Sequence, residues 1–123
     1  MKDILISGVI GDSGFFDEKT TNLIDVVNAV NQDKEADGYR FIIDSVGGDV
    51  KTGFAIAKYI ESLPNTETVA KHVYSIATVI FLAGKKRVAN SESVFMIHNP
   101  WSSVDGDSEQ LRRVAVELEK VEK

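Results

Sequence analysis

Apolar and polar positions along this 123-residue chain alternate between strand-like and helix-like periods. The first apolar run predicts an opening strand in two parts, 4–6 and 9–10, interrupted by a glycine turn at Ser7-Gly8. From Asp17 the pattern becomes helical, with Asp17 or Thr20 as the expected N-terminal cap. Apolar side chains then recur at the spacing of one helix face, at Leu23, Val26, Val27 and Val30.

The same strand-helix order continues through the centre of the chain. Residues 39–43 are almost continuously apolar, which is typical of a strand buried on both faces of a parallel sheet. A helix is predicted from Gly47-Gly48 to the residues before Pro64. A strand, a short buried helix and a further strand follow, over 66–73, 76–83 and 94–97. This order indicates an α/β domain of mainly parallel strands joined by right-handed crossover helices.

The last segment, 108–123, places apolar residues among charged ones and predicts an amphipathic helix. Its apolar face needs a surface to pack against. With 123 residues and 43% hydrophobic content, the chain is expected to form a single domain with one core.

Composition narrows the classes of function. No run of 18 apolar residues and no signal peptide is evident, and the chain contains no cysteine, so we expect a cytoplasmic protein without membrane spans or disulfides. The net charge of −5 argues against nucleic-acid binding, which requires clustered cations. The one basic cluster, Lys85-Lys86-Arg87, is interpreted as a solvated turn.

Three positions carry candidate chemistry. Ser75 is followed 23 residues later by His98, and Gly47-Gly48 ends 27 residues before the serine. A nucleophile, a general base and a glycine turn with accessible backbone N–H groups are what acyl transfer requires. Each also has an ordinary structural interpretation: a helix N-cap for Ser75, a turn for the glycine pair and a hydrogen-bonded side chain for His98.

Two other kinds of site are not supported. The segment from Gly48 to Gly53 lacks the glycine-lysine-serine/threonine ending of a nucleotide-binding loop. His72 and His98 do not form a convincing metal pair, because no carboxylate at ligand spacing accompanies either. The sequence therefore predicts no metal and no cofactor.

Three segments together resemble the Clp protease proteolytic subunit family. Residues 41–53 are similar to its glycine segment, 74–84 to its nucleophile segment and 90–100 to its histidine segment. The sequence from Met96 to Trp101 is most similar to the phage-encoded branch associated with capsid maturation. The resemblance runs from about Ile4 to the end of the chain.

This resemblance implies a serine endopeptidase that hydrolyses peptide bonds through an acyl-enzyme. Ser75 would be the nucleophile, His98 the general base, and Gly48 and Ile76 the backbone donors of the oxyanion hole. An extended peptide would bind beside Gly47-Gly48 as an added strand.

The family resemblance also implies a larger architecture. It implies a crotonase-type α/β core that assembles into homo-oligomeric rings around a chamber. The candidate partners are a separate AAA+ unfoldase or phage capsid proteins. The helix from Ser108 would correspond to the start of the family's projecting handle helix.

The chain departs from the family pattern in three places. Val46 stands where proline is common, and Lys71 to Tyr74 replace a run of small residues before the serine. No residue matches the acidic member of the triad, which in the family lies beyond the first handle helix. We therefore expect a single Clp-like domain over 1–123, shortened within the handle helix at about 108–123. The alternatives are a non-catalytic ring or scaffold subunit and a crotonase-like acyl-CoA enzyme.

Overall fold

The computed structural model describes residues 1–12 and 19–97. His98 and the helix predicted over 108–123 lie outside these residues. The described part contains six strands and three helices, in the order β1 Lys2–Ile10, β2 Thr20–Thr21, α1 Leu23–Asn31, β3 Tyr39–Gly48, α2 Val50–Ser62, β4 Thr66–Tyr74, α3 Ala77–Leu82, β5 Lys86–Val88 and β6 Val94–Met96.

The six strands form one sheet in which every pairing is parallel. Its order is β2-β1-β3-β4-β5, and β6 also pairs with β4. β5 lies beside the first half of β4, at residues 67–69, whereas β6 lies beside its last three residues, 72–74. The predicted α/β fold with a mainly parallel sheet is therefore confirmed.

The core lies between the helices and one face of the sheet. β3 contributes Phe41 and Ile43, α2 contributes Ile56 and Ile60, and α3 contributes Phe81, all with fully buried side chains. Burial alternates along β3, so its opposite face is only partly covered. The expectation that residues 39–43 are buried on both faces is therefore wrong.

The partly exposed face of the sheet carries an ion-pair network across three strands. Arg40 on β3 lies 3.0 Å from Asp3 on β1 and 3.4 Å from Glu67 on β4. The two neighbouring carboxylates, Glu67 first, raise the pKa of Arg40 above its ordinary value. A charged side chain at this position needs solvent and partners, which explains why β3 buries one face only.

The first helix begins later than the hydrophobic period predicts. Its cap is Asn22, not Asp17 or Thr20: the Asn22 side chain accepts a hydrogen bond from the Asp25 amide at 3.0 Å. The Asp25 carboxylate accepts one from the Asn22 amide at 2.9 Å, which completes a capping box. Thr20 belongs to β2, which pairs with the end of β1.

The opening strand is continuous, whereas the sequence predicts a glycine turn within it. β1 bends at Gly8, where the register with β3 shifts between Gly8 and Val9. Gly8 has φ +73°, and a Cβ there would lie 2.1 Å from the carbonyl oxygen of Lys19. Glycine is required because the returning chain approaches the bend so closely.

The interpretation of the basic cluster after α3 as a turn is also wrong in part. Lys86 and Arg87 belong to β5 rather than to a turn, and pair with β4. The ammonium of Lys85 donates to the carbonyl of Leu63 at 2.6 Å, just after α2 ends. A cation is favourable there because carbonyl groups at the end of a helix lack intrahelical donors. None of the helices within 1–12 and 19–97 is long and apolar enough to cross a bilayer.

Candidate active site

Ser75 occupies a sharp turn between a strand and a helix. It follows the last residue of β4 and lies two residues before the start of α3. Its φ of +56° is unique among the non-glycine residues of the described part. A left-handed conformation is strained for a residue with a Cβ, and such strain clusters at functional sites. A serine on a strained strand-to-helix turn is also how α/β hydrolases present their nucleophile.

The Ser75 side chain does not cap α3. The N-cap is Ile76, and no side chain caps the helix. The serine instead contributes its carbonyl, which accepts hydrogen bonds from the Thr78 amide at 3.0 Å and the Thr78 hydroxyl at 2.7 Å. Within the described ranges the Ser75 hydroxyl has no hydrogen-bond partner, and the residue is half-buried. The helix-cap interpretation therefore does not account for this serine.

The predicted glycine pair lies directly beside the serine. Gly47 has φ +93°, and a Cβ at this position would lie 2.9 Å from both the Ser75 Cβ and the carbonyl oxygen of Tyr74. Any side chain at position 47 would therefore displace the serine turn. The structure thus brings Gly47 and Ser75 together.

The two glycines differ in what their backbone can offer a ligand. The Gly47 amide is buried and donates to the Ser45 hydroxyl at 3.0 Å, while that hydroxyl donates to the carbonyl of Gly8 at 2.7 Å. Gly48 is exposed, with φ +151°. The next amide, that of Asp49, donates to the carbonyl of Ile10 at 2.8 Å. Of these three residues, Gly48 is therefore the one best placed to contact a ligand.

Ile76, the second predicted donor, is held against the helix that follows the glycine pair. Its side chain is buried, and a Cβ at Gly53 would lie 2.3 Å from its Cγ1. The first turns of α2 therefore pack directly on the residue after the serine. In the described part of the chain, the Ile76 amide has no hydrogen-bond acceptor. The close packing fixes the Ile76 amide relative to the glycine turn.

The strand that leads to His98 ends at the serine. The Ser75 amide donates to the carbonyl of Met96 at 2.7 Å, and Met96 is the last residue of β6. His98 itself lies outside the described residues, so its role stays a prediction. Sequence reasoning did not identify this backbone contact, since it joins residues 21 positions apart.

A second histidine has an acidic partner that the sequence does not reveal. The His72 Nδ1 lies 2.8 Å from a carboxylate oxygen of Asp44, across the β3–β4 pairing. The Tyr74 ring packs edge-on against the His72 ring, with centroids 6.0 Å apart. Both His72 and Asp44 are substantially exposed. Residues 1–12 and 19–97 contain no group of three acidic, histidine or cysteine side chains able to hold a metal.

Asp49 caps α2 immediately after the glycine pair, and this leads to a pH prediction. Its carboxylate accepts from the Thr52 hydroxyl and from the Thr52 amide at 2.9 Å, and these bonds lower the pKa of Asp49. Because the folded pKa is depressed, the stabilisation is complete above the unfolded pKa of about 3.9 and is lost as the pH falls through the folded value. We expect Asp49→Ala to lower the free energy of unfolding by about 1 kcal/mol at pH 7.

Urea unfolding of the wild type and of Asp49→Ala between pH 7 and pH 3 measures this effect. The difference between them should shrink towards the acid end of the series. Asp49→Asn is the matched control, since asparagine caps helices but does not titrate. A difference that stays constant with pH would show that the carboxylate charge does not contribute.

The sequence of this chain is similar to those of Clp proteases. A family model described as Clp protease matches residues 7–123. The ATP-dependent Clp protease proteolytic subunit 2 of Treponema denticola is 37% identical over 83 residues, which are 64% of this chain and 42% of that protein. The protein of the same name from Borreliella burgdorferi is 38% identical over 85 residues, 66% of this chain and 43% of that one. The chain thus spans less than half the length of these relatives.

Solved structures agree with the fold. ClpP1 from Listeria monocytogenes superposes with a TM-score of 0.69 at 23% identity, covering 94% of this chain and 70% of that one. A point mutant of the same protein gives a TM-score of 0.65 at 22% identity, covering 92% and 65%. Because the family model extends over nearly the whole sequence, this chain belongs to the Clp protease family.

Proposed function

We propose that this chain carries the nucleophile, the general base and the oxyanion hole of a Clp-type serine endopeptidase. The observation that carries the proposal is the conformation of Ser75: a strained residue at a strand-to-helix turn, with a hydroxyl that no described residue binds. Such a conformation costs free energy, and neither a helix cap nor a hydrogen bond of its side chain offsets that cost.

In the proposed reaction the Ser75 hydroxyl oxygen attacks the carbonyl carbon of a peptide bond. The imidazole of His98 takes the hydroxyl proton and then donates it to the departing amine, so that the peptide C–N bond breaks and an ester to Ser75 remains. Water, deprotonated by the same imidazole, hydrolyses this ester. Support for His98 comes from Met96, whose carbonyl accepts from the Ser75 amide. The residue two positions on is within about 8 Å of Met96, measured between Cα atoms.

The oxyanion of the tetrahedral intermediate would be bound by the amides of Gly48 and Ile76. Gly48 is exposed at the end of β3, and Ile76 directly follows the nucleophile. The contact between Gly53 and Ile76 supports this pairing, because it fixes the position of one donor relative to the other. Donors that need no rearrangement stabilise a developing charge most effectively.

The substrate would bind as an extended strand beside the glycine pair. Gly47 directs its amide inward to Ser45, and the parallel pairing of Ile10 with Gly48 turns the Gly47 carbonyl towards β1. We therefore assign peptide recognition to the backbone of Gly48. The third member of the triad is not assigned to any residue of this sequence. His98 would act either with an acid that the sequence does not identify or as a dyad with Ser75.

At the level of the whole protein we propose a homo-oligomeric ring that degrades proteins with an ATP-driven unfoldase. Two curated relatives bear the name ATP-dependent Clp protease proteolytic subunit, which favours this assignment over phage capsid maturation. No nucleotide-binding loop is present in the sequence, so ATP hydrolysis would belong to a partner chain.

Labelling with a fluorophosphonate, followed by intact mass measurement, tests the nucleophile. We expect one equivalent of label on the wild type and none on Ser75→Ala. Ser91→Ala is the control and should also take up one equivalent, since Ser91 is exposed in a turn before β6. Labelling that persists in Ser75→Ala would contradict the proposal. An unlabelled wild type that forms a defined oligomer in solution would indicate a non-catalytic ring subunit instead.

A further inference from the structure

An open pocket of about 780 Å³ lies along the first turns of α2, beside the glycine pair. Its described lining begins at Gly48, the proposed oxyanion donor, and extends along the helix to Lys58. A volume of this size is typical of pockets that bind ligands. Because Gly48 belongs to both, the pocket is continuous with the proposed active site.

The pocket is lined by the face of α2 that does not enter the core. The residues of α2 that are buried in the core are Gly53, Ile56, Ala57 and Ile60. Lys51, Phe54 and Lys58 line the pocket and follow one another at intervals of three and four residues, so they form one row along the helix. Phe54 is half-buried and packs against the core, whereas both lysines are exposed. This row presents an aromatic ring between two ammonium groups.

The two lysines of this row are available to a ligand. Neither Lys51 nor Lys58 forms an ion pair within residues 1–12 and 19–97. The carboxylate in the described lining is that of Asp49, which caps α2 and accepts from the Thr52 amide at 2.9 Å. The hydrogen bonds from Thr52 and, to a smaller extent, the charge of Lys51 lower the pKa of Asp49. The described lining therefore offers two cations and a carboxylate that is already engaged.

We propose that this pocket binds an acidic side chain of the peptide substrate, glutamate or aspartate, close to the bond that is cleaved. The inference rests on the proposed serine endopeptidase and adds a preference for acidic sequences to it. The carboxylate would lie between the ammonium groups of Lys51 and Lys58, with its methylene groups against the Phe54 ring. A helix rises about 1.5 Å per residue, so Val50 to Lys58 spans about 12 Å, the length of three or four residues of extended peptide.

Binding of two capped octapeptides tests this selection by charge. The peptides are identical except that one carries glutamate where the other carries glutamine, and they are added to Ser75→Ala so that no ester forms. We expect the glutamate peptide to bind about 3–10-fold more tightly at about 0.02 M salt, since each exposed ion pair contributes little by itself. Most of this preference should disappear at about 0.5 M salt, which screens exposed charges. Equal affinities of the two peptides at low salt would overturn the proposal.

Replacement of the lysines by glutamine tests which cations are responsible. In the Ser75→Ala background, Lys51→Gln and Lys58→Gln should each reduce the preference for glutamate about 2–3-fold, and the two together should abolish it. Lys34→Gln is the matched control, because Lys34 is equally exposed but lies after α1, outside the lining of the pocket. The control should keep the preference. A loss in Lys34→Gln as large as in the double variant would reflect the charge of the whole protein and would contradict a role for this pocket.

Hydrogen–deuterium exchange in the same Ser75→Ala protein reports where the peptide binds. At saturation the glutamate peptide should slow exchange of the Gly48 amide at least about threefold, since the bound strand would accept a hydrogen bond there. Unchanged exchange at Gly48 would place the peptide away from the active site and overturn the proposal.

Fluorophosphonate labelling of the wild type separates this inference from the proposed function. Absence of labelling together with selective binding of the glutamate peptide would contradict catalysis by Ser75 and support the recognition of acidic residues. Labelling at Ser75 together with equal affinities for the two peptides would overturn the acidic preference alone.

Discussion

Replacement of His98 by alanine should lower the rate of fluorophosphonate labelling at Ser75 by about 10²–10⁴-fold, the usual contribution of a general base. A serine hydroxyl is a weak nucleophile until a neighbouring base removes its proton. Ser75 has no side-chain partner within the described ranges, so no other group there activates it. The measurement is the second-order rate constant of labelling, taken from a time course at several probe concentrations.

The other histidine of the chain provides the matched control. His72 lies three residues before Ser75 and already contacts an acidic partner, Asp44, at 2.8 Å. We expect His72→Ala to leave the labelling rate within about twofold, because the His72 side chain lies on the exposed face of the sheet beside Tyr74. A large loss in His72→Ala with little change in His98→Ala would assign the base to His72 and contradict the proposed role of His98.

Gly48→Ala is expected to lower the free energy of unfolding by about 4 kcal/mol and to abolish labelling of Ser75. Gly48 has φ +151°, and a Cβ there would lie 2.2 Å from the carbonyl oxygen and 2.7 Å from the amide nitrogen of Ile10. These are backbone atoms of the adjacent strand and have no flexible side chain that could move away. The glycine turn and the end of β1 would have to separate, which would displace the proposed oxyanion donor. Urea unfolding and the labelling assay measure the two effects.

Gly11→Ala distinguishes collision from backbone strain. Gly11 also has a positive φ, +135°, but among the described residues a Cβ there would meet only the Asp49 Cβ, at an ordinary contact distance of 3.4 Å. We expect this variant to lose about 1–2 kcal/mol, the cost of the conformation alone, and to keep its reactivity with the probe. Equal losses in the two variants would show that the contact between Gly48 and Ile10 contributes nothing.

Much of the fold could be predicted because it depends on local pattern. Helix α2 ends before Pro64 as expected, and the apolar segment after Ser75 forms a short buried helix. The sequence mispredicts burial along β3 because Ile42 extends the apolar run and suggests that both faces are buried. The residues that keep the second face polar, Asp3 and Glu67, contact Arg40 from other strands. β2 and β5 were missed because they are short, and their backbone pairing with distant strands leaves little trace in hydrophobic period.

Some features of the candidate site could likewise be predicted from the sequence, and others depend on the tertiary structure. The residue types and spacings of Gly47-Gly48, Ser75 and His98 predict acyl transfer, because that chemistry requires a nucleophile, a general base and backbone donors. The left-handed turn at Ser75, the inward bond of the Gly47 amide and the contact of Ser75 with Met96 were decided by tertiary structure. These features depend on which strands lie side by side, and backbone groups of every residue type can form them. Sequence therefore determined the chemical groups and the fold class, whereas strand pairing decided which of those groups are strained, occupied or free.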